Sequence, residues 1–251
     1  MQTRTEGIVL KSMDYGEADL IVTYLTRDMG VRKAFAKSAR KIRSRFGGSL
    51  EPLTQARIGL MGKEDATMPR LTQSDIIRPF QELREDYSCF VRLCSMIELT
   101  CGLLPEGAEN RTSYEFLLKM MDRMSSGCSH LDSLIYKVRL LRLKGYAPKL
   151  DRCTRCGADA GWFYPTVGGV VCQACSVMPS VVLPQDRRLR LPVSQGTTKL
   201  YEAILGWELE KTARLKASPA MLEEISAILD AHAGHLLSRP LRVRDESVRA
   251  L

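Results

Sequence analysis

Four cysteines arranged as two pairs constrain this chain more than any other feature. Cys153 and Cys156 form one Cys-x-x-Cys pair, Cys172 and Cys175 form a second, and fifteen residues separate the pairs. Each pair places two thiolates on one tight turn, as a tetrahedral four-cysteine zinc site requires. The spacing therefore predicts a structural zinc ion whose coordination sphere is closed to substrate. A redox dithiol or two short-range disulfides are the alternatives.

The segment between the two cysteine pairs has the pattern of a short hairpin. An aromatic run at 162–164 precedes a glycine pair at 168–169, and two valines follow. Such runs around a glycine turn are typical of paired strands. Gly157, directly after Cys156, suits the left-handed backbone of a metal-binding knuckle. We therefore expect a zinc module over about residues 150–178.

The other cysteines and the lengths of the apolar runs indicate the cellular compartment of the protein. The other four cysteines lie in or beside apolar helical patterns, where we expect buried, inert thiols. Zinc-type cysteine usage suits a reducing cytosol. We find neither a signal peptide nor an apolar run of membrane length, so the sequence predicts a cytoplasmic protein with no membrane partner. These other cysteines are Cys89, Cys94, Cys101 and Cys128.

The net charge of +8 is concentrated in one segment. Residues 31–57 contain eight Lys or Arg residues and one acid, so this segment alone carries +7. The rest of the chain is nearly balanced. Concentrated positive charge predicts a polyanionic partner, most simply nucleic acid. A solvated basic loop is the alternative.

The N-terminal part of the chain has the pattern of short strands. Five strands with no long helix between them indicate a small barrel, for which the OB-fold is the commonest choice and an SH3-like barrel the alternative. Pro69 predicts an edge position or a bulge in the last strand. The predicted strands cover 7–10, 20–25, 31–37, 54–60 and 66–77, and 14–17 is predicted to be a loop.

Beyond Pro79 the apolar residues recur at the spacing of helices. We expect Thr112 and Ser129 to cap the second and third helices. Three prolines after the zinc module predict an extended linker. The predicted helices cover 83–101, 112–124, 131–144, 197–215 and 219–237. The predicted architecture is α+β and multidomain, with a small five-stranded barrel at 1–79 that binds nucleic acid and an all-α domain at 80–251 that carries the zinc finger.

Motifs of common enzyme classes are absent from the sequence. It contains no GxxxxGK[ST] loop, no HExxH and no GxSxG. Its three histidines are distant in sequence from the zinc cysteines. This absence favours a binding protein over an enzyme.

Several further segments have a distinctive residue order. Arg139-Leu-Leu, followed by Gly145-Tyr-Ala-Pro148, leads directly into the first cysteine pair. Other segments of this kind are 7–11, 14–17, 19–22, 26–30, 36–41 and 44–46. Together with the cysteine pairs they resemble the RecO family of bacterial recombination mediators over nearly the whole chain. Ser38 stands where that family usually has glycine, and we expect this departure to leave the site unaltered.

The resemblance implies both a fold and a function. It implies an OB-fold followed by a helical domain with an inserted zinc finger, in a cytoplasmic and nucleoid-associated protein. It also implies binding of single- and double-stranded DNA and annealing of complementary strands. The partners that it implies are RecR, RecF and the single-stranded DNA-binding protein.

A basic stretch between two predicted barrel strands is the candidate DNA contact. Five cations within nine residues can follow a phosphate backbone without reading bases, so we expect weak sequence preference. Two arginines of the zinc module, Arg152 and Arg155, are a weaker second candidate. The predicted phosphate contacts are Lys37, Arg40, Lys41, Arg43 and Arg45.

A second candidate surface concerns a protein partner. Arg139 and Arg142 share one face of the predicted helix over 131–144. We expect them to form a basic rim beside an apolar pocket that receives the acidic, apolar-tipped tail of the single-stranded DNA-binding protein. The alternative is a solvated surface, or an ion pair of Arg139 inside the helical domain.

Two other functional classes remain open at the level of sequence. One is a zinc-ribbon enzyme that processes nucleic acid, which needs an open metal position and a nearby acid or histidine. The other is an RNA-binding or transcription-associated OB-fold protein. The set of four cysteines argues against the first class, and a comparison of DNA and RNA affinity, with an annealing assay, tests the second.

Overall fold

The computed structural model describes residues 2–63, 66–159 and 161–242. The chain divides into two compact units. The first comprises 1–90 with 100–128, and the second comprises 91–99 with 129–251. The sequence-based domain boundary at residue 79 stays a prediction.

Five strands form a barrel in the first unit. Their order is β1-β2-β3-β5-β4, and β4 pairs again with β1, so the sheet closes. All neighbours are antiparallel except β3 and β5, which meet in a parallel pair at Phe35 and Arg70. The five-stranded barrel predicted from the sequence is confirmed. Its strands are β1 (Gln2–Tyr15), β2 (Asp19–Thr26), β3 (Gly30–Ala36), β4 (Gln55–Met61) and β5 (Arg70–Arg78).

Two strands differ from their predicted bounds. Asp14 and Tyr15, predicted to lie in a loop, belong to β1 and pair with β2. A register shift between Val9 and Lys11 lets this long strand bend around the barrel. β5 begins at Arg70 rather than at residue 66, directly after Pro69, which has no N–H to give to a ladder.

The barrel is filled by side chains from alternating strand positions. Tyr24 is fully buried, and Phe46 reaches the same cluster from the loop after β3. Burial of this apolar surface is what stabilises so small a barrel. The other large members of the cluster are Val9, Val22, Leu50, Ile58, Leu60 and Leu71.

Three helices complete the first part of the helical region. They are α1 (Gln81–Glu85), α2 (Tyr87–Leu103) and α3 (Arg111–Ser125). The single helix predicted over 83–101 was wrong, because Asp86 interrupts it and accepts a hydrogen bond from Cys89 N–H as the N-cap of α2. The predicted cap at Thr112 was also wrong, since α3 begins at Arg111 and Asn110 occupies the cap position.

The second unit packs three longer helices with a small sheet. The helices α4 (His130–Leu143), α6 (Gln195–Gly206) and α7 (Pro219–Leu236) contact one another. Ser129 and Asp132 form a reciprocal capping box at α4, which confirms the predicted cap. The helix predicted over 197–215 was too long, because α6 ends at Gly206 and Trp207 is extended.

Three of the remaining cysteines differ from the prediction of buried, inert thiols. Cys89 and Cys128 lie within disulfide-bonding distance, with their Cα atoms 5.7 Å apart. Cys101 is exposed. The sequence pattern missed the pair of Cys89 and Cys128 because Cys89 lies in the first turn of α2 and Cys128 lies after the end of α3, 39 positions away.

None of the helices in the described part of the chain combines the length and the apolar character needed to span a membrane.

Candidate metal centre and nucleic-acid interface

The first cysteine pair lies on a tight turn. Gly157 has a φ of +74°, and its N–H donates to the carbonyl of Cys153 at 2.9 Å. The N–H of Cys153 in turn donates to the Ala158 carbonyl at 2.9 Å. A left-handed residue costs little only when it is glycine. The predicted knuckle at Gly157 is thus confirmed.

The second cysteine pair begins a short helix. Cys172 is the N-cap of α5 (Gln173–Ser176), and Ser176 N–H donates to the Cys172 carbonyl at 2.9 Å. One helical turn therefore holds Cys172 and Cys175 on the same side. The hairpin between the pairs, β6 (Trp162–Tyr164) with β7 (Gly169–Val171), is confirmed.

The four sulfur atoms converge on one point. The Sγ atoms of all four cysteines lie within 4.8 Å of one another, and those of Cys156 and Cys172 are 3.6 Å apart. A tetrahedral ion with Zn–S bonds of about 2.3 Å separates its sulfurs by about 3.8 Å, so the cluster fits such an ion. The sequence prediction of a four-cysteine cluster that can hold a metal is confirmed.

The pKa values of the two buried thiols, Cys153 and Cys175, shift in opposite directions. Burial raises the pKa of Cys153, but N–H groups of Cys172, Cys156 and Arg155 outweigh it and lower this pKa to about 6. Burial and the neighbouring sulfurs raise the pKa of Cys175 to about 12. Four thiols this close cannot all lose a proton without a cation between them, which is the chemistry of a metal ligand set.

A small core supports the cysteine cluster. Tyr164, Val171 and Val182 are almost fully buried against Cys153 and Cys175. A third strand, β8 (Leu191–Pro192), extends the hairpin by pairing with β6. The sequence predicted only an extended linker there. Such a core is too small to fold without a cross-link or a metal.

The basic stretch lies in the first unit, in the loop between β3 and β4. We call residues 37–46 the basic loop. All five predicted phosphate contacts in it are exposed. The start of the loop is fixed by Ser38, whose N–H donates to Asp19 Oδ1 at 2.6 Å, and by Arg40, whose N–H donates to Ala18 O at 2.9 Å. The loop is therefore anchored where it leaves the barrel.

The other end of the basic loop is anchored by an aromatic side chain. Phe46 is only 3% exposed and packs into the barrel core. The Arg45 guanidinium lies 4.8 Å from the centre of the Phe46 ring and donates a hydrogen bond to Leu71 O at 3.3 Å. Arg45 is thus held in place, with its exposed edge directed outward.

The tip of the basic loop is the part that remains available. In the described part of the chain, no carboxylate pairs with Lys41 or Arg43. Ile42 between them is fully exposed. The charge pattern of the sequence did not single out Ile42, whose full exposure is seen only in the structure.

An exposed aromatic side chain, Tyr15, lies at the end of β1, one residue after an acid that pairs with the loop. Tyr15 is 53% exposed, and its ring meets Phe35 edge-to-face at 5.8 Å. Asp14, the residue before it, pairs with Arg40 of the loop at 3.1 Å. Tyr24 and Phe46 are buried in the core, whereas Tyr15 is exposed, so Tyr15 is the one of these three rings most open to a base.

Ser38 occupies a strained position. Its φ is +57°, in the left-handed region that glycine adopts without cost. The glycine expected from the family pattern thus has a backbone reason. The serine keeps the loop geometry at a cost of about 1 kcal/mol.

Arg139 and Arg142 lie on α4, as predicted, and both donate to the C-terminal end of α6. Arg139 Nε donates to the Ile204 carbonyl at 3.0 Å and its Nη2 to the Trp207 carbonyl. Arg142 donates to Leu205 O at 2.5 Å. The Ile204 and Leu205 carbonyls lie in the last turn of α6, where carbonyls have no N–H partner within the helix, so the two arginines cap its C-terminal end. Their role toward a partner stays a prediction.

The two arginines of the zinc module are both exposed. Arg152 lies 3.7 Å from the Asp159 carboxylate, while Arg155 forms no ion pair within the described ranges. Their contact with DNA stays a prediction.

Two protein-family models together match nearly the full length of this chain. The family model "Recombination protein O N terminal" matches residues 1–80. The model "Recombination protein O C terminal" matches residues 84–245. Together they span both the barrel and the cysteine cluster.

Individual relatives agree with the family models. DNA repair protein RecO of Thermodesulfovibrio yellowstonii is 39% identical over 234 residues, which is 92% of each chain. That of Roseiflexus sp. is 33% identical, covering 95% of this chain and 82% of its own. That of Geobacter sulfurreducens is 32% identical, covering 95% and 94%. The chain therefore belongs to the RecO family of DNA repair proteins.

Proposed function

We propose that this protein is a recombination mediator that binds single-stranded DNA and anneals complementary strands during repair. The basic loop on the barrel is the single observation that carries this proposal. Five exposed cations there form a continuous positive segment within a RecO-family chain. Acting by binding rather than by chemistry, the protein would need no catalytic group.

The loop supplies mainly electrostatic affinity. Cations that neutralise phosphates release condensed counterions, which gives binding without sequence preference. Tyr15 adds a face on which a base can stack. The same phosphate contacts serve single- and double-stranded DNA, whereas a stacked base requires a single strand.

The metal in the cysteine cluster is zinc in this proposal. Cysteine thiolates in tetrahedral geometry are a ligand set typical of structural zinc. The ion would hold the two knuckles together, and its four ligands leave no position for water. An open metal position is what the alternative of a zinc-ribbon nucleic-acid-processing enzyme requires.

The partners in this proposal are RecR, RecF and the single-stranded DNA-binding protein. Family membership supports them, together with a cytoplasmic and nucleoid-associated location. The acidic tail of the single-stranded DNA-binding protein is proposed to contact Arg139 and Arg142. The Arg142 guanidinium has further N–H donors beyond the one that donates to Leu205 O, so capping and tail binding are compatible at this residue.

A tail-peptide titration tests the partner site. We expect salt-sensitive binding of a labelled acidic, apolar-tipped peptide by fluorescence anisotropy, and loss of it in Arg139→Ala/Arg142→Ala. Arg139→Lys/Arg142→Lys is the matched control, because it keeps the charges. Unchanged peptide affinity in a folded alanine variant moves the site elsewhere.

A nucleic-acid comparison tests the function itself. We expect the protein to bind single-stranded DNA and to show no preference for RNA of the same sequence. A strong preference for RNA would favour the RNA-binding or transcription-associated alternative. Hydrolysis or nicking of either substrate would favour the nucleic-acid-processing enzyme.

A further inference from the structure

A cavity beside the cysteine cluster has no role in the proposed function. Its volume is about 670 Å³, which is within the range of ordinary ligand pockets, about 300–1,000 Å³. It lies within the second unit, where four parts of the chain meet. These are the loop before β6, the first turn of α5, the segment that joins β8 to α6, and the N-terminal part of α7.

The charged side chains of the cavity wall are acidic. Among the described residues that line it, Asp159 and Glu224 carry a charge and none is basic. Glu224 Oε1 accepts a hydrogen bond from Ser194 N–H, and in the described part of the chain no Lys or Arg pairs with this carboxylate. The Asp159 side chain is 89% exposed and lies 3.7 Å from Arg152, too far for a hydrogen bond. The cavity is therefore a region of negative charge in a chain whose net charge is +8.

Much of the remaining wall is apolar. Trp162 is half-buried and lines the cavity. The Arg190 guanidinium lies 4.4 Å from the centre of the Trp162 ring, but Arg190 is not part of the cavity wall and so does not fill the space. Apolar groups next to two carboxylates fit a cation that carries an apolar stem. The other apolar side chains of the wall are Ala174, Pro192 and Val193.

Backbone contacts hold the cavity wall in place. β6 pairs with β8, which joins two parts of the wall. Ser194 is the N-cap of α6, and its N–H donates to Glu224 on α7. Gly161 packs so closely against β7 that a Cβ there would lie 2.5 Å from the Val171 carbonyl oxygen. A cavity whose wall is already ordered binds a ligand without the entropic cost of ordering that wall.

The charge and the aromatic wall favour the side chain of arginine as the ligand. Asp159 and Glu224 repel phosphate groups, so the cavity is unsuited to nucleic acid. A guanidinium is planar, is weakly hydrated and donates paired hydrogen bonds to a carboxylate, and it also stacks on aromatic rings. The ammonium group of lysine is strongly hydrated and binds as a point charge, so it gains less from the Trp162 ring.

We propose that this cavity binds an arginine-containing segment of a partner protein. Asp159 and Glu224 accept hydrogen bonds from the guanidinium, and Trp162 with the apolar wall contacts the rest of the segment. The site goes beyond the proposed function, because DNA binding by the basic loop does not involve it. The protein thus has separate surfaces of opposite charge, one for nucleic acid and one for a basic protein segment.

A peptide titration tests the site. The probe is a fluorescein-labelled peptide, Gly-Leu-Arg-Ser-Arg-Leu-Gly, and its matched controls carry lysine or uncharged citrulline in place of both arginines. We expect salt-sensitive binding of the arginine peptide by fluorescence anisotropy. The lysine peptide should bind about tenfold more weakly, and the citrulline peptide should not bind.

Two double variants test which acids are responsible. Asp159→Asn/Glu224→Gln removes both charges and keeps the shape of each side chain. It should weaken binding of the arginine peptide about tenfold or more, because two charge-assisted hydrogen bonds become neutral ones. Glu202→Gln/Glu223→Gln makes the same change of charge at exposed positions of the same unit and should keep the wild-type affinity. Equal metal content and circular dichroism establish that each variant is folded.

Tryptophan fluorescence locates the bound peptide. The chain has two tryptophans, so Trp207→Phe leaves Trp162 as the only one. We expect an unlabelled arginine peptide to change the emission of this variant in a saturable way. About tenfold more peptide should be needed when Asp159→Asn/Glu224→Gln is also present. Unchanged emission at saturating peptide would place the peptide elsewhere and overturn the proposal.

The other outcomes are equally decisive. Failure of the folded wild type to bind the arginine peptide would overturn the site, as would equal affinity of the wild type and Asp159→Asn/Glu224→Gln for that peptide. Self-association of the wild type in sedimentation equilibrium, lost in both Asp159→Asn/Glu224→Gln and Lys41→Glu/Arg43→Glu, would identify the occupant as the basic loop of a second copy. That result would overturn the proposal of a partner protein.

Discussion

The Arg40 guanidinium lies 3.1 Å from the Asp14 carboxylate, so one of the five loop cations is paired with the barrel. Both side chains are largely exposed, and such a pair contributes about 0–1 kcal/mol to stability. The main effect of this ion pair is to fix the path of the basic loop, because it holds Arg40 against β1 and leaves Lys41 and Arg43 beyond the contact. The five cations are therefore not equivalent.

The first prediction follows from this difference. Lys41→Glu/Arg43→Glu should weaken binding of single-stranded DNA more than Arg40→Glu does, since Arg40 already has a carboxylate partner. Each lost phosphate contact reduces the slope of log K against log salt by about 0.7 for single strands, so the double variant should lose about 1.4. Fluorescence anisotropy over a series of salt concentrations measures this.

A control for the loop variants lies on the barrel wall. Arg4 and Arg57 are exposed on the neighbouring strands β1 and β4, outside the loop. Arg4→Glu/Arg57→Glu changes the net charge equally and should keep the wild-type salt slope. Equal slopes for the loop variant and the wild type would remove the loop from the DNA site.

The second prediction concerns the metal. We expect one zinc ion per chain by elemental analysis, and four sulfur neighbours at about 2.3 Å by X-ray absorption. Cys153→Ser should release the ion and expose the module to proteolysis between residues 150 and 183, because its core is too small to persist alone. DNA binding by the basic loop should survive.

Cys101→Ser is the control for the metal prediction, since Cys101 is an exposed cysteine outside the cluster. It should keep both the ion and the protease resistance. Freshly purified protein that contains no metal and has its cluster thiols oxidised would favour disulfides instead.

Local pattern and spacing predicted much of this structure, and their limits are physical. Strand alternation gave the barrel, and the cysteine spacing gave the knuckles. The helix cap at Ser129 was also predicted, because a cap is a local feature whose partner, Asp132, is only three residues away. Contacts between distant segments could not be predicted from local pattern. The hydrogen bond from Arg139 to a carbonyl of α6, 65 residues away, is an example. A basic run in a predicted linker likewise carried no sign that β8 fixes it to Trp162.

The third prediction separates the structural role of Arg139 from its proposed partner role. Its hydrogen bonds to carbonyls at the end of α6 are charge-assisted, and such bonds contribute about 1.5–3 kcal/mol. Arg139→Ala should lower the free energy of unfolding by an amount near the bottom of that range. Chemical denaturation measures it, and Lys199→Ala, at an exposed position of α6, is the control. An unchanged unfolding free energy would contradict the capping role.

The fourth prediction concerns pH. Burial lowers the pKa of His232 below its usual 6.5; a hydrogen bond to the Tyr146 carbonyl opposes this, and nearby His235 adds to it. The unfolded chain therefore binds a proton at a higher pH than the folded protein does. The folded protein is therefore most stable, as far as His232 is concerned, above about pH 6.5. This contribution to the free energy of unfolding is lost as the pH falls from about 6.5 toward the lower pKa of the folded state.

Replacement of the two histidines isolates this effect. His232→Gln should flatten the dependence of the unfolding free energy on pH below about 6.5, relative to the wild type. His235→Gln, at an exposed position of the same helix, should retain most of the dependence. Denaturant titrations at a series of pH values measure both. Identical profiles for His232→Gln and the wild type would exclude His232 as the cause.

The rate at which complementary single strands anneal tests the central proposal most directly. A fluorophore and a quencher on two complementary oligonucleotides report duplex formation with and without the protein. We predict that the wild type accelerates annealing, that Lys41→Glu/Arg43→Glu loses most of the acceleration, and that Arg4→Glu/Arg57→Glu retains it. A wild-type protein with bound zinc that leaves the annealing rate at its spontaneous value would contradict the proposed function.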